Sequence, residues 1–459
     1  MSSLVPARWQ GSAGLVAAAV VTAGVAGVLV AAQPRLGLLL VAGLAGLGVV
    51  RLLRLTLTEL VLITMPLMFF PPIGFLLNVA VADFLMPLLV VLVWSRNVPA
   101  TLSEGQRAVV RRYSGLSALL LFVTLVSGLL AALGVSDFNL LEASLDTMKL
   151  VVVLVYFVTL LVSFMALNER GRLRAARIWV WCAVAQSVGS LVGLVPSDGV
   201  RSLGYFQDPN LYAGYLLSSI ALLFYVVARD RLIAWPVAIL LLFGGVLSTG
   251  SRGALAAAAV LLAVSAVALI SSRIGTLLMA GTSALVAVLL LVPDVLDRLA
   301  LPGVERLLAS SEIAGTDPRW RLWGRAWELW LDHPLLGVGI GQYTEYSAGL
   351  TPFRNWTEGQ VAHNTFLSFA AEGGAIGLIA FCAILVGAVS RIAVAPHLTK
   401  TQQMALIIGV MVIVVMMMSL NLQNLRYVWA FLAFAIAAAA SGEPSADSDQ
   451  VSATARTHA

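Results

Sequence analysis

A small set of arginines and one histidine stands out because these residue types suit phosphate chemistry. Arg201 lies in RSLGYFQDPN, Arg252 lies in TGSRGA, and His363 opens the segment HNTF. The planar guanidinium of arginine matches phosphate oxygens, and several arginines together suit a diphosphate. A histidine with a pKa near neutrality can take a proton from an attacking hydroxyl. Together these residues could transfer a sugar from a lipid diphosphate, with positive charge stabilising the leaving group.

Each of these residues also has an ordinary explanation when it is considered alone. Arg252 could snorkel from a very short loop between apolar runs, and Arg201 could be a simple loop residue. His363 could be an interfacial or core histidine. We favour the functional interpretation because all three are predicted to share one membrane face with a long arginine-bearing segment. Charged groups at membrane depth are costly and usually serve function.

The long segment, residues 294–363, contains a predicted amphipathic helix between Asp317-Pro318 and Pro334. Four tryptophans at steps of three and four residues line one face of it: Trp320, Trp323, Trp327 and Trp330. That face could lie in the membrane interface, or the helix could simply pack on the bundle. In either case we expect the arginines of another face to meet water or a cavity, and one of three to complete the site: Arg319, Arg321 or Arg325, with a preference for the last two.

The motif GVGIGQY follows this helix at residues 337–343. It could be a glycine-rich phosphate loop or a tight turn after the helix. The strand before and the helix after it, which would be typical of a phosphate loop, are missing. The pattern therefore favours the tight turn.

No pair of carboxylates is placed to hold a divalent ion against a phosphate. The one Asp-x-Asp motif, Asp447 and Asp449, lies in the C-terminal tail on the predicted opposite side of the membrane. We therefore expect a metal-independent reaction that uses no cofactor.

The elements that position these residues must lie in a membrane. Of the 459 residues, 60% are hydrophobic and 11% are charged, and the mean hydropathy is +0.95. A soluble domain carries roughly 25% charged residues, so a soluble enzyme, a disordered chain and a collagen-like chain are all excluded. Cys182 and Cys382 both lie in apolar runs, so no disulfide framework is expected.

Apolar runs predict an all-α, polytopic transmembrane helix bundle of 12–14 helices. Residues 1–293 would hold transmembrane helices 1–11, with 12–31 as a retained first helix rather than a cleaved signal. Residues 294–363 would form one long extracytoplasmic loop, and residues 364–440 the C-terminal transmembrane helices. Residues 441–459 read as a disordered cytoplasmic tail. The candidate spans are 12–31, 36–50, 59–77, 79–94, 114–134, 147–167, 178–195, 211–228, 232–248, 253–271, 274–293, 364–390, 404–420 and 426–440.

The distribution of positive charge predicts the orientation. Most of the 28 basic residues fall in alternate connections on the side of the N-terminus, and the short loops opposite carry few. This places the N-terminus in the cytoplasm and the long segment outside. The net charge of +5 is modest, so nucleic acid is not an expected partner. We expect a multi-pass protein of the bacterial cytoplasmic (inner) membrane, with its site facing the periplasm or the outside.

The ordered motifs resemble the O-antigen ligase family, which includes O-antigen polymerase-like relatives. The resemblance covers roughly residues 195–390. It rests on RSLGYFQDPN, TGSRGA, WELWLDHPLLGVGIGQY and AHNTFLSFAAEGGAIGLIAF. The strongest part is HNTFL from His363, followed by Glu372, Gly373 and Gly377.

This resemblance implies an inverting membrane glycosyltransferase of the GT-C type. Its donor would be a glycan on undecaprenyl diphosphate, and its acceptor hydroxyl would belong to a lipid A core in ligases or to another repeat unit in polymerases. His363 would be the catalytic base or its close partner. Arg201 and Arg252 would contact the donor diphosphate, together with Arg321 or Arg325.

Other expectations follow from the same resemblance. Asn364 could orient His363 or merely cap a helix, and Glu372 could be structural, while Asn210 and Arg319 would support the site. The expected partners are a polyprenyl-diphosphate-linked glycan donor, a glycan or glycolipid acceptor, the lipid bilayer, and a chain-length regulator or other envelope-assembly protein.

A rival hypothesis is a carrier or flippase for a polysaccharide or lipid-linked intermediate. Such a protein would need ionisable groups near the middle of its spans. Asp83 and Glu59 instead lie near span ends, which favours the enzyme. A purely structural role in envelope assembly would leave the histidine and the arginines unexplained.

Overall fold

The computed structural model of this chain describes residues 54–68, 80–134, 138–206, 208–230, 234–251, 253–255, 257–258, 319–350 and 360–441. Contacts divide the chain into Met1–Leu57 and Thr58–Ala459, and the features below belong to the second unit. The predicted spans 12–31, 36–50 and 274–293 lie outside the described residues. So do most of 253–271, much of 59–77, the site residue Arg252, and the predicted tail from residue 442 onward.

Helices dominate the described residues, among which there is no β-strand. They are α1 (Leu57–Thr64), α2 (Val81–Ser95), α3 (Val98–Thr101), α4 (Glu104–Gly134), α5 (Leu140–Ala166), α6 (Glu169–Leu191), α7 (Pro209–Val227), α8 (Ala234–Ser248), α9 (Arg319–Asp332), α10 (Tyr343–Tyr346), α11 (Thr365–Ala393), α12 (Lys400–Met417) and α13 (Arg426–Ala440). Five of them, α4, α5, α7, α11 and α12, are long and apolar enough to cross a membrane. The predicted all-α polytopic bundle is confirmed.

Several helices begin earlier than the predicted spans. α4 starts at Glu104 rather than 114, and α6 starts at Glu169 rather than 178. The reason is that apolar runs mark the hydrocarbon-crossing part of a helix, whereas the helix itself continues through charged turns. Those turns carry Arg107, Arg111 and Arg112 in α4. The hydropathy pattern therefore finds the helices but underestimates their length.

The core is built around α7 and α13. Every residue of α13 is buried, and nearly all of α7 is buried as well. A helix that is apolar all round belongs inside a bundle; α13 packs against α5, and α7 against α12. Aromatic rings fill the space between them, as in the edge-to-face contact of Phe157 and Trp429, whose centroids are 5.5 Å apart.

The helices α7, α11 and α13 all begin at the same end of the bundle. Just before α11 and α13, the backbone N–H of Asn364 donates to Asn421 Oδ1 at 3.1 Å. Beyond the other end of α11, His397 Nε2 donates to the carbonyl of Ala438 near the end of α13, at 2.8 Å. We call these the His363 end and the opposite end.

Candidate functional site

Arg201 joins two of the predicted motifs at the His363 end. Its Nε donates to the carbonyl oxygen of Thr249 in TGSRGA at 2.9 Å, and its Nη2 donates to Asn210 Oδ1 at 3.3 Å. Asn210 lies in the first turn of α7, where the Asp208 side chain caps the helix and Pro209 occupies its first position. The sequence DPN therefore places Asn210 beside Arg201. The position of Arg252, three residues after Thr249, stays a prediction.

The helix α9, Arg319–Asp332, confirms the predicted helix and its boundaries. Its buried face is aliphatic, made of Leu322, Ala326 and Leu329, and it packs against α11. Trp320 and Trp327 remain 64% and 49% exposed. Both predicted alternatives thus have a basis: the helix packs on the bundle through one face, and another face presents tryptophan outward.

The three arginines of α9 have different surroundings. Arg325 Nε donates to the carbonyl of Tyr346 at 3.4 Å, and its guanidinium lies 5.6 Å from the centroid of the Tyr346 ring. Its Nη1 also donates to Glu328 Oε2 at 3.2 Å. Arg319 is half-buried, whereas Arg321 is exposed, and no described residue forms an ion pair or hydrogen bond with the Arg321 side chain.

The motif GVGIGQY is a tight turn that packs into a kink of α11. Gly374 interrupts α11 with φ +62° and ψ −166°, a conformation open essentially only to glycine. A Cβ atom at Gly374 would clash with the carbonyl carbon of Leu335. The amides of Val338 and Gly339 donate to the carbonyls of Ala371 and Glu372 at 2.8 and 3.1 Å. Because these amides already bond the helix, the motif serves packing rather than phosphate contact.

Two side chains fasten this turn to the bundle. Glu372 Oε1 accepts from the backbone N–H of Tyr343 at 3.3 Å, and the Tyr343 hydroxyl donates to the carbonyl of Leu322 at 2.6 Å. Burial and the nearby Glu372 carboxylate raise the pKa of the Tyr343 hydroxyl well above its ordinary value, opposed only in part by Arg325. Tyr343 therefore stays a neutral donor and does not act as a base. The contact is also in keeping with the structural role that was predicted for Glu372.

His363 has an unusual backbone conformation. Its φ of +50° lies in the left-handed region, which few residues other than glycine adopt. Before it, Ala362 is fully buried in a cluster with Ala326 and Leu329 of α9. After it, Asn364 caps α11 by accepting from the backbone N–H of Leu367 at 3.1 Å. The segment is thus fixed on both sides, and such strain costs about 1–3 kcal/mol and concentrates at functional sites.

The loop 418–425 links His363 to the TGSRGA segment. Asn364 Nδ2 donates to the carbonyl of Met418, and Thr365 Oγ1 donates to that of Leu420, at 3.1 and 2.7 Å. The loop also lies close to the TGSRGA segment: a Cβ atom added at Gly253 would be 3.3 Å from Ser419 Oγ. This loop was missed in the sequence, although a polar group, Asn421, Gln423 and Asn424, between two apolar runs could have indicated it.

A buried ion pair anchors the end of this loop. Arg426, the first residue of α13, donates through Nε to Asp83 Oδ1 at 2.7 Å. The hydroxyl of Tyr156 donates to the same oxygen at 2.7 Å. In the sequence, Asp83 and Arg426 are single charges near the starts of two apolar runs. Because most of the chain separates them, no local pattern indicates that they pair.

Among the described residues, no group of three or more His, Cys, Asp or Glu side chains could hold a metal ion. The metal-independent reaction stays a prediction, which an experiment with a chelator can test. What the described geometry joins is Arg201 with Asn210 and TGSRGA, and His363 with α9 and the loop 418–425.

Residues 237–382 match the family model described as O-antigen ligase. This segment is an O-antigen ligase domain. The predicted resemblance is confirmed for these residues, which include α9, the glycine turn, His363 and the first half of α11. Arg201, Asn210 and the loop 418–425 lie outside the matched residues. A comparison with curated proteins finds no match.

The O-antigen ligase domain and the five long apolar helices together support a multi-pass membrane protein of the O-antigen ligase type. The general activity of that family is glycosyl transfer, and the family implies lipid-linked glycans in a membrane as substrates. The donor, the acceptor, the orientation and the residue roles are matters for proposal.

Proposed function

We propose that this protein moves glycan from an undecaprenyl-diphosphate-linked donor to an acceptor hydroxyl at the outer face of the bacterial cytoplasmic membrane. The reaction is inverting and metal-independent, and the protein is of the ligase or polysaccharide polymerase type. The donor, a glycan or glycolipid acceptor and the bilayer are its partners. A chain-length regulator or other envelope-assembly protein would act beside it.

One observation carries this proposal. The His363 segment of the O-antigen ligase domain lies at the same end of the bundle as Arg201, and the loop 418–425 contacts both the His363 segment and the TGSRGA segment to which Arg201 donates. This arrangement supports a shared site for a base candidate and a phosphate-binding candidate that are far apart in sequence. The strained backbone of His363 supports a role for this residue beyond packing.

In the proposed reaction, the acceptor oxygen attacks the anomeric carbon from the face opposite the diphosphate. A bond forms from that carbon to the acceptor oxygen, while the bond to the diphosphate oxygen breaks. The acceptor proton passes to His363, and the electron pair leaves with polyprenyl diphosphate. Arg201, Arg252 and an arginine of α9 stabilise the developing negative charge. Exposed Arg321 is favoured for direct contact, because Tyr346 and Glu328 already hold Arg325.

The test uses purified full-length protein in detergent with a synthetic undecaprenyl diphosphate oligosaccharide. A lipid A core and a second repeat unit are offered as acceptors, with and without a chelator. Extended glycans would identify a polymerase, and a single transfer to lipid would identify a ligase. Because transport has no meaning in detergent, any transfer product argues against the carrier hypothesis. Loss of activity with the chelator would contradict the metal-independent mechanism.

The histidine is tested by His363→Asn, since asparagine tolerates left-handed backbone well and cannot act as the base. We expect the transfer rate to fall by about 10²–10⁴, the range of a lost general base. His333→Asn is the matched control, because His333 is exposed just after α9 and has no proposed role. Equal activity of the folded His363→Asn protein and the parent would overturn the assignment.

A further inference from the structure

A cavity of about 360 Å³ lies at the opposite end of the bundle, away from His363. This volume falls within the range of roughly 300–1,000 Å³ that is usual for small-molecule sites. The walls come from the ends of several helices and the connection between α11 and α12. The lining residues are Gln106, Met165, Leu167, Asn168, Glu169, Arg172, Tyr225, His397, Leu398, Ala438 and Ser441.

Two amide side chains give this cavity hydrogen-bond donors. The backbone N–H of Ser103 donates to Gln106 Oε1 at 3.0 Å, and that of Gly171 donates to Asn168 Oδ1 at 2.8 Å. A backbone N–H can only donate, so the bonded atom of each amide must be its oxygen. The NH₂ groups are therefore the ends of Gln106 and Asn168 that remain to donate to a ligand.

Arg172 adds a buried positive charge to the same wall. The residue is 6% exposed, and its guanidinium donates to the carbonyl of Leu167 and bonds the hydroxyl of Tyr225. Both partners are neutral, and no described carboxylate forms an ion pair with Arg172, although the charge of Glu169 acts on it from a longer distance. The charge of Arg172 is therefore only partly balanced by the described residues, and an anion in the cavity would stabilise it further.

The one carboxylate in the lining is already paired. Glu169 Oε1 lies 3.3 Å from Nε of Arg229, which sits outside the cavity. This pairing reduces the repulsion that Glu169 would exert on an anion. His397 donates its Nε2 hydrogen to the carbonyl of Ala438, so it adds no negative charge.

We propose that this cavity binds a phosphate group, with Arg172 as its main ligand and the amides of Gln106 and Asn168 as further donors. Basic pockets between helix ends at a membrane surface suit anionic lipid headgroups. The phosphate could belong to such a headgroup or to a soluble phosphate ester. The site is separate from the proposed donor site and does not depend on the proposed reaction.

The experiment measures thermal unfolding of the delipidated full-length protein in neutral detergent, by tryptophan fluorescence. Phosphatidylglycerol tests the lipid headgroup, glycerol 1-phosphate tests the soluble ester, and diacylglycerol controls for the acyl chains. We expect phosphatidylglycerol to raise Tm in a concentration-dependent way, because a ligand that binds only the folded state stabilises it. Diacylglycerol should leave Tm unchanged.

Three variants separate this cavity from the general positive charge of the surface. Arg172→Gln should weaken phosphatidylglycerol binding by about tenfold or more, since it removes charge-assisted hydrogen bonds. Arg170→Gln is the matched control, because it removes the same charge from an exposed position two residues away. Gln106→Glu places a carboxylate in the cavity but keeps the capping box with Ser103, so it should abolish binding without harming α4.

Each outcome has a clear meaning. Arg172-dependent stabilisation by phosphatidylglycerol alone supports a lipid headgroup, and the same effect with glycerol 1-phosphate supports a soluble ester. Equal losses in Arg172→Gln and Arg170→Gln would overturn the site in favour of general surface charge. Absence of any shift with both phosphates, or full binding by Gln106→Glu, would also overturn it.

Discussion

The two most buried arginines among the described residues lie at opposite ends of the bundle and differ in their partners. Arg426 is 8% exposed and faces the carboxylate of Asp83, which also accepts from Tyr156. Arg172 is 6% exposed, bonds only neutral groups among its described partners, and lines a cavity. Burial alone therefore does not distinguish a structural arginine from a ligand-binding one. The charge of the partner and the space beside it do.

The largest effect should come from removing the partner of Arg426. Asp83→Asn leaves the guanidinium buried without a carboxylate, and we expect a loss of about 3–5 kcal/mol in the free energy of unfolding. The measurement is equilibrium unfolding in mixed detergent micelles. The double variant Asp83→Leu with Arg426→Met should recover most of the loss, because it leaves no buried charge unpaired. If Asp83→Asn were as stable as the parent, Arg426 would have no structural role, and its contrast with Arg172 would fail.

A smaller effect is expected at Arg172. Without ligand, Arg172→Gln removes two hydrogen bonds to neutral groups but also removes a costly buried charge, so the free energy of unfolding should fall by only about 1 kcal/mol. No carboxylate is left unpaired, since Arg172 has none as a described partner. The same unfolding measurement applies, in the absence of phosphate. A loss comparable to that of Asp83→Asn would show that the two arginines have the same structural role.

The smallest change should follow from Arg229→Gln. Its ion pair with Glu169 joins side chains that are 40% and 55% exposed, so the unfolding free energy should change by less than about 0.5 kcal/mol. Phosphatidylglycerol affinity should nevertheless fall roughly two- to fivefold, because Glu169 regains its effective charge beside the cavity. Unchanged affinity in a titration would mean that Glu169 does not influence the ligand.

Much of the bundle was predictable from local pattern. Long apolar runs locate α4, α5, α7 and α11, and the tryptophan spacing locates α9 with its proline boundaries. These features depend on neighbouring residues and on the cost of placing polar groups in lipid. The exact helix starts were not predictable from hydropathy, because charged turns extend the helices beyond their apolar parts.

The candidate site was predictable only as a set of residues on one face. Arg201 beside TGSRGA and His363 near α9 agree with that expectation, while their roles and the position of Arg252 stay predictions. The loop 418–425 and the pair of Asp83 and Arg426 were missed because they depend on contacts between residues far apart in sequence. No local pattern indicates that the backbone N–H of Asn364 donates to Asn421. Nor does one indicate that the backbone of Leu335 packs against the kink at Gly374.

The kink at Gly374 has a consequence for biosynthesis. The segment around Leu335 leaves the ribosome before the helix that receives it, so it has no docking surface until α11 has been made and inserted. Until then its amides must bond water, and the segment is open to proteases. A chain truncated just before α11 should therefore be cleaved early by proteases in α9, even though every residue of α9 is present.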